Sequence, residues 1–287
     1  MDRPVMTPQS VRAAVRDSVV MDVHDRSING PERSIPVRVY RPASATPVPV
    51  LVYFHGGGWV AGDLDTHDSF CRILCEWVGC GVIAVDYARP PEYRFPAAVE
   101  DCYAVTEWVS SQGAEWGLDG RRIAVAGGGS GGGLAAVVCQ IARDRCGPSI
   151  GFQLLLYPVL DCLARNRSRD DFCAGPGLTI EMLDWYLGHY VDEGQSLAHP
   201  WLSPARHVWL HRLPEALVLT AGCDVLRDEG RDYARQLKKA GVLVRYKVYP
   251  GMLHGFINYP AEHRAARSAI LLCAEALGKH FFAARHG

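Results

Sequence analysis

The chain has 287 residues, of which 48% are hydrophobic, and carries 30 Lys+Arg against 31 Asp+Glu. A net charge of −1 leaves no basic excess to condense on phosphates, which argues against nucleic-acid binding. No apolar run approaches the roughly 18 residues of a membrane span, and at about 150 residues per domain the length fits one or two domains.

The first segment, to about residue 27, precedes any clear strand signal. Its opening, Met1-Asp2-Arg3-Pro4, is acidic and proline-broken and lacks an apolar signal core, so a cytoplasmic protein is expected. After the Asn29-Gly30 turn signal, Val37-Arg38-Val39-Tyr40 alternates like a half-exposed edge strand. Continuous apolar strands follow at Val50–Phe54, Val82–Val85, Ile123–Ala126, Leu154–Leu156, Ala216–Thr220 and Val244–Tyr249, the kind that a sheet covered on both faces requires. Helical periodicity lies between them, near 67–79, 97–112, 131–145, 227–240 and 262–282. This alternation predicts a mainly parallel, doubly wound α/β sheet with right-handed crossovers.

Two pieces interrupt the alternation. One is residues 1–27. The other, about 162–212, holds the Gly175-Pro176-Gly177 loop and a helix near 180–191. Together they are expected to form a cap over the C-terminal ends of the strands, where sheets of this class bind ligands, on a single domain spanning 1–287. The ten cysteines are scattered rather than framed for disulfides, and Cys71, Cys75 and Cys80, on a helix-period segment without a CxxC pair, read as buried thiols. Asp63 to Asp68 reads as a turn with Asp65 or Thr66 capping the next helix rather than a metal cluster, and Glu100-Asp101 as a solvated helix face.

The chemistry sits at strand ends. His55-Gly56-Gly57-Gly58-Trp59 follows the strand Val50–Phe54, and its glycines leave backbone N–H groups free to hold a developing oxyanion. Gly127-Gly128-Gly129-Ser130-Gly131-Gly132-Gly133 follows Ile123–Ala126 and leads into a small-residue helix, which is the setting of a nucleophile elbow. No Gly-Lys-Ser/Thr supports a phosphate loop. Asp224 and His254 then stand just past two later strands, in the chain order of a hydrolase triad, with the carboxylate orienting an imidazole that acts as general base. Trp59, Tyr87 and Trp185 are candidate substrate-pocket residues, with Trp185, Tyr186 and His189 at helical spacing in the cap segment.

These stretches, with Asp86-Tyr87, Pro91-Glu92, Phe95-Pro96-Ala97-Ala98, Gln153 to Pro158, Gly222 to Gly230 and His254-Gly255-Phe256, resemble the hormone-sensitive-lipase-like family of α/β-hydrolase esterases over nearly the whole length. The resemblance implies an eight-stranded α/β-hydrolase sheet with a helical cap and hydrolysis of short acyl esters without metal or organic cofactor. It implies an oxyanion hole from Gly57, Gly58 and the residue after the nucleophile, Ser130 or Gly131. It also implies a homodimer formed through the last strand.

One departure matters. The family pattern Val-Ala-Gly-x-Ser-x-Gly-Gly-x-Leu-Ala-Ala, laid on Val125 to Ala136 without a gap, puts Gly129 in the serine column and Ser130 one place later. A Ser130 elbow needs the strand one residue longer and the helix one residue shorter, which turns strand faces over and rotates the helix by about 100°. Gly129 is therefore the expected occupant of the nucleophile position, with Ser130 the alternative nucleophile. The chain then reads as a member of an esterase lineage with impaired hydrolysis. The remaining alternatives are an enzyme that uses His254 and Asp224 as a base without an acyl-enzyme, and a small-molecule-binding pseudoenzyme.

Overall fold

A computed structural model describes residues 21–282. Eight strands form one sheet in the order β1-β2-β4-β3-β5-β6-β7-β8: β1 (Met21–Asn29), β2 (Ser34–Pro42), β3 (Val48–Phe54), β4 (Gly81–Val85), β5 (Leu118–Gly128), β6 (Ile150–Leu156), β7 (Glu215–Cys223) and β8 (Val244–Leu253). The β1–β2 and β2–β4 pairs are antiparallel and all the others parallel. Among the described residues, seven helices accompany them: α1 (Asp68–Val78), α2 (Ala97–Gln112), α3 (Ser130–Asp144), α4 (Arg167–Asp171), α5 (Ile180–Tyr190), α6 (Arg227–Lys239) and α7 (Arg264–Phe282). The five core helices predicted from periodicity fall within two residues of α1, α2, α3, α6 and α7.

All seven residues of β3 are buried, and its side chains divide by strand alternation. Val50, Val52 and Phe54 enter one apolar layer with α2 and α3, whereas Leu51 and Tyr53 enter the other with α1 and α7. At roughly 1.5–3 kcal/mol for each large apolar side chain removed from water, this double burial explains why the central strands have continuous apolar sequences. Cys71, Cys75 and Cys80 are buried in the second layer, as expected for structural thiols.

Three expectations need correction. Residues 21–27 belong to no cap: they form most of β1, the edge strand, whose side chains are largely exposed on both faces and so leave no apolar signature. Residues 1–20 lie outside the described residues. Val37–Tyr40 is accordingly not an edge, since β2 is paired on both sides. The turn before α1 is held by Asp63, whose Oδ1 accepts from the N–H groups of Asp65 and Thr66, while the helix cap at His67 makes no side-chain bond.

Asp101 is the other departure. It is buried on α2, where its Oδ2 accepts from Arg33 Nε at 2.9 Å and from the Ala88 N–H at 2.9 Å, tying the β1–β2 turn to the loop after β4. Glu100 alone faces outward, toward Arg145. Asp101→Ala leaves the Arg33 guanidinium without its partner beside the Asp86 carbonyl and is expected to cost about 3 kcal/mol, read as a lowered urea midpoint. An unchanged midpoint would mean that the pair holds nothing.

Candidate active site

The glycine run is explained atom by atom. β5 ends at Gly128 and α3 begins at Ser130, so Gly129 is the turn, at φ 57° and ψ −118°. Its N–H donates to the Leu156 carbonyl and its own carbonyl accepts from the Gly133 and Val159 N–H groups, locking the bend. A Cβ on Gly131 would strike the Phe54 and His55 carbonyls, and one on Gly133 the Val159 carbonyl, so the helix sits against β3 and the loop after β6 only because both are bare.

Position 129 differs from its neighbours. Among the described residues, and apart from its chain neighbours, a Cβ placed there has only His254 Nε2 at 3.1 Å and Cε1 at 3.5 Å within 4 Å. His254 Nδ1 lies 2.8 Å from Asp224 Oδ2, and Asp224 is buried with Oδ1 accepting from the Leu226 N–H at 3.0 Å. That carboxylate fixes the tautomer: Nδ1 carries the proton and the Nε2 lone pair faces Gly129. Ser130 is buried elsewhere. Its Oγ accepts from the Trp59 N–H at 3.2 Å and contacts the Tyr87 phenol, and no hydrogen bond joins it to His254 among the described residues.

The loop after β3 closes the other side. Gly57 (φ 120°), Gly58 (φ 61°) and Trp59 (φ 64°) turn sharply, with the Val60 and Ala61 N–H groups bound to the Gly57 carbonyl. The Tyr186 ring of α5 lies directly on Gly58, where no side chain would fit. The first-turn N–H groups of α3, those of Ser130 and Gly131, have no helical acceptor.

His55 braces this loop from below. It donates from Nδ1 to the Gly56 carbonyl at 2.8 Å, accepts at Nε2 from Arg89 at 3.3 Å and stacks on Tyr87, whose hydroxyl donates to the His55 carbonyl. Burial pushes the His55 imidazole down to about 3, so it stays neutral. The unfolded chain takes up a proton below about 6.5 that the folded chain refuses, so this contribution is complete above pH 6.5 and shrinks as pH falls toward 3. His55→Asn, which keeps a donor for Gly56, is expected to remove about 2 kcal/mol of the stability lost between pH 6.5 and 5, measured as urea midpoints at both pH values. Equal pH slopes in the two proteins would contradict it.

The pocket candidates fare unevenly. Trp59 is buried and stacks on Tyr190, and Tyr87 is buried beneath the loop, so both support the site from behind. Trp185 is 53% exposed and rests on His189, one residue away from Tyr186, which is the side chain that meets the glycine loop. Sequence reasoning also missed Tyr157, whose ring packs edge-on against His254 at 4.7 Å and occupies the space a side chain on Gly128 would enter. A Tyr just past the apolar run Leu154–Leu156 was the signal available. Asp228 and Glu229, near Asp224 in sequence, serve the insertion between β6 and β7. Glu229 Oε1 accepts from the Leu160 and Asp161 N–H groups, Oε2 accepts from Arg169, and Asp228 accepts from the Ser168 N–H. The Gly175–Gly177 turn of that insertion passes beside Leu253 and His254.

A family model described as alpha/beta hydrolase fold matches residues 51–258. The carboxylic ester hydrolase LipN of Mycobacterium tuberculosis is 44% identical over 244 residues, covering 83% of this chain, which spans less than two thirds (65%) of that protein. Esterase LipI of the same organism is 39% identical over 280 residues, covering 91% of this chain and 85% of its own. Among solved structures, a Pyrobaculum calidifontis esterase superposes with a TM-score of 0.87 at 40% identity, over 90% of this chain and 85% of that one. Among the described residues, no helix is long and apolar enough to cross a membrane.

Proposed function

The chain belongs to the α/β-hydrolase family of carboxylesterases, and on that premise we propose that its site binds short acyl esters with Gly129 standing in the nucleophile position, so that ester hydrolysis is far slower than a serine there would allow. The observation that carries this reading is the direction of position 129. Its side-chain vector runs to the Nε2 atom of an imidazole already held by a buried carboxylate, whereas the Ser130 hydroxyl is bound to the Trp59 N–H.

In this reading the acyl carbonyl lies between Gly129 and the donors of Gly57, Gly58 and Ser130 or Gly131, which take up the charge that develops on its oxygen. His254 is the general base and later the acid, and Asp224 orients it. The segment 162–212 acts as a cap, with α5 pressing Tyr186 onto the oxyanion loop. A base-only enzyme remains the second reading, favoured by one fact: the His254–Asp224 pair is intact at 2.8 Å although position 129 has no side chain.

The test is turnover of p-nitrophenyl butyrate by the chain, by Gly129→Ser and by Ser130→Ala. Slow turnover unaffected by Ser130→Ala and raised by Gly129→Ser supports the reading. Fast turnover abolished by Ser130→Ala overturns it.

A further inference from the structure

We propose that the space beside the Gly129 Cα is a binding site for a water nucleophile, and that His254 activates this water for direct attack on a bound ester, cleaving it in one displacement without an acyl-enzyme. The inference rests on Gly129 occupying the nucleophile position and adds what takes the place of the missing side chain.

Three observations bring it together. Among the described residues outside its chain neighbours, a Cβ built at Gly129 meets nothing within 4 Å except the His254 imidazole, so the Nε2 side of the turn is free of other side chains. The Asp224 carboxylate 2.8 Å from Nδ1 holds the tautomer whose Nε2 accepts a proton. The Ser130 hydroxyl, the one side-chain nucleophile of the elbow, is bound to Trp59. A water here has its acceptor at Nε2, which leaves the N–H groups at the start of α3 to the ester carbonyl oxygen.

The step balances. The water oxygen bonds to the acyl carbon as one of its protons passes to Nε2, and the carbonyl electrons move onto oxygen at the N–H groups of Gly57, Gly58 and the α3 terminus. The tetrahedral species then expels the alcohol oxygen, which takes the proton back from Nε2. Ester and water become acid and alcohol, and the imidazole ends neutral. An untethered water forgoes the effective molarity of a covalently held hydroxyl, so this route is slower than a serine pathway.

The experiment compares the chain with Gly129→Ala, Gly129→Ser and His254→Ala. It reads p-nitrophenyl acetate turnover with and without hydroxylamine, and intact mass after exposure to an alkyl fluorophosphonate. Expected for the chain are turnover at least about tenfold above His254→Ala, acceleration by hydroxylamine with hydroxamate as product, and no mass gain. In Gly129→Ala the methyl group fills the space, and turnover should fall to the His254→Ala level with no hydroxylamine response. Gly129→Ser, which bears the same Cβ, is expected to gain the phosphonate mass, and its activity shows that the backbone holds a side chain there. Gly129→Ala turning over as fast as the chain beside an active Gly129→Ser sinks the water site and leaves the nucleophile position standing. A phosphonate adduct on Ser130 of the chain sinks both. An inert Gly129→Ser that takes up no phosphonate sinks the nucleophile position and the water site with it.

Discussion

Gly129→Ser is expected to raise kcat for p-nitrophenyl butyrate by about 10³-fold or more while lowering stability. The upper bound comes from what removing a triad nucleophile costs in serine hydrolases, on the order of 10⁶. The gain is placed below that bound because the new Cβ would stand 3.1 Å from His254 Nε2, a few tenths of an ångström tighter than ordinary contact. The imidazole must therefore give way while keeping its bond to Asp224. The stability cost follows from the backbone: at φ 57° and ψ −118° any side chain is strained, by about 1–3 kcal/mol. Steady-state kinetics and a thermal melt on the same preparation read both effects. A lowered melting temperature with no gain in kcat would show that position 129 is a strained turn and nothing more.

In the Gly129→Ser background, Asp224→Asn is expected to lower kcat by about 10⁴ with KM little changed. Asp224 is buried, and its two oxygens are separately engaged. Oδ1 accepts from the Leu226 N–H and Oδ2 faces His254 Nδ1. An asparagine retains the first bond through its carbonyl oxygen but turns an NH₂ toward Nδ1. The imidazole then moves its proton to Nε2, and the atom facing position 129 no longer accepts one. Asparagine is the informative replacement because it preserves volume and the Leu226 contact. A loss under tenfold would indicate that a group other than Asp224 sets the tautomer.

Much of the architecture was legible along the chain. The strands from β3 to β8 and the five core helices follow from apolar runs and helical periodicity, because an element buried on both faces must be apolar throughout and a one-sided helix must be striped. Asp224 and His254 were legible by the same route, as polar residues just past strand ends in a fixed order. Gly129 as the turn residue also followed from register, since the buried faces of β5 and α3 allow no slip.

What stayed hidden depends on contacts between distant segments. β1 carries little apolar patterning because both its faces are largely exposed, and only pairing with β2 makes it a strand. Asp101 looked solvated until Arg33, 68 residues away, was brought against it. Tyr186 on Gly58 and Tyr157 against His254 join segments that share no sequence signal. The buried strands, the core helices and the order of the chemical groups are written in the chain, because covalent neighbours and burial set local conformation. That the imidazole faces position 129 and that the Ser130 hydroxyl accepts from the Trp59 N–H is visible only in the folded chain, because side-chain direction depends on how separately formed elements pack together.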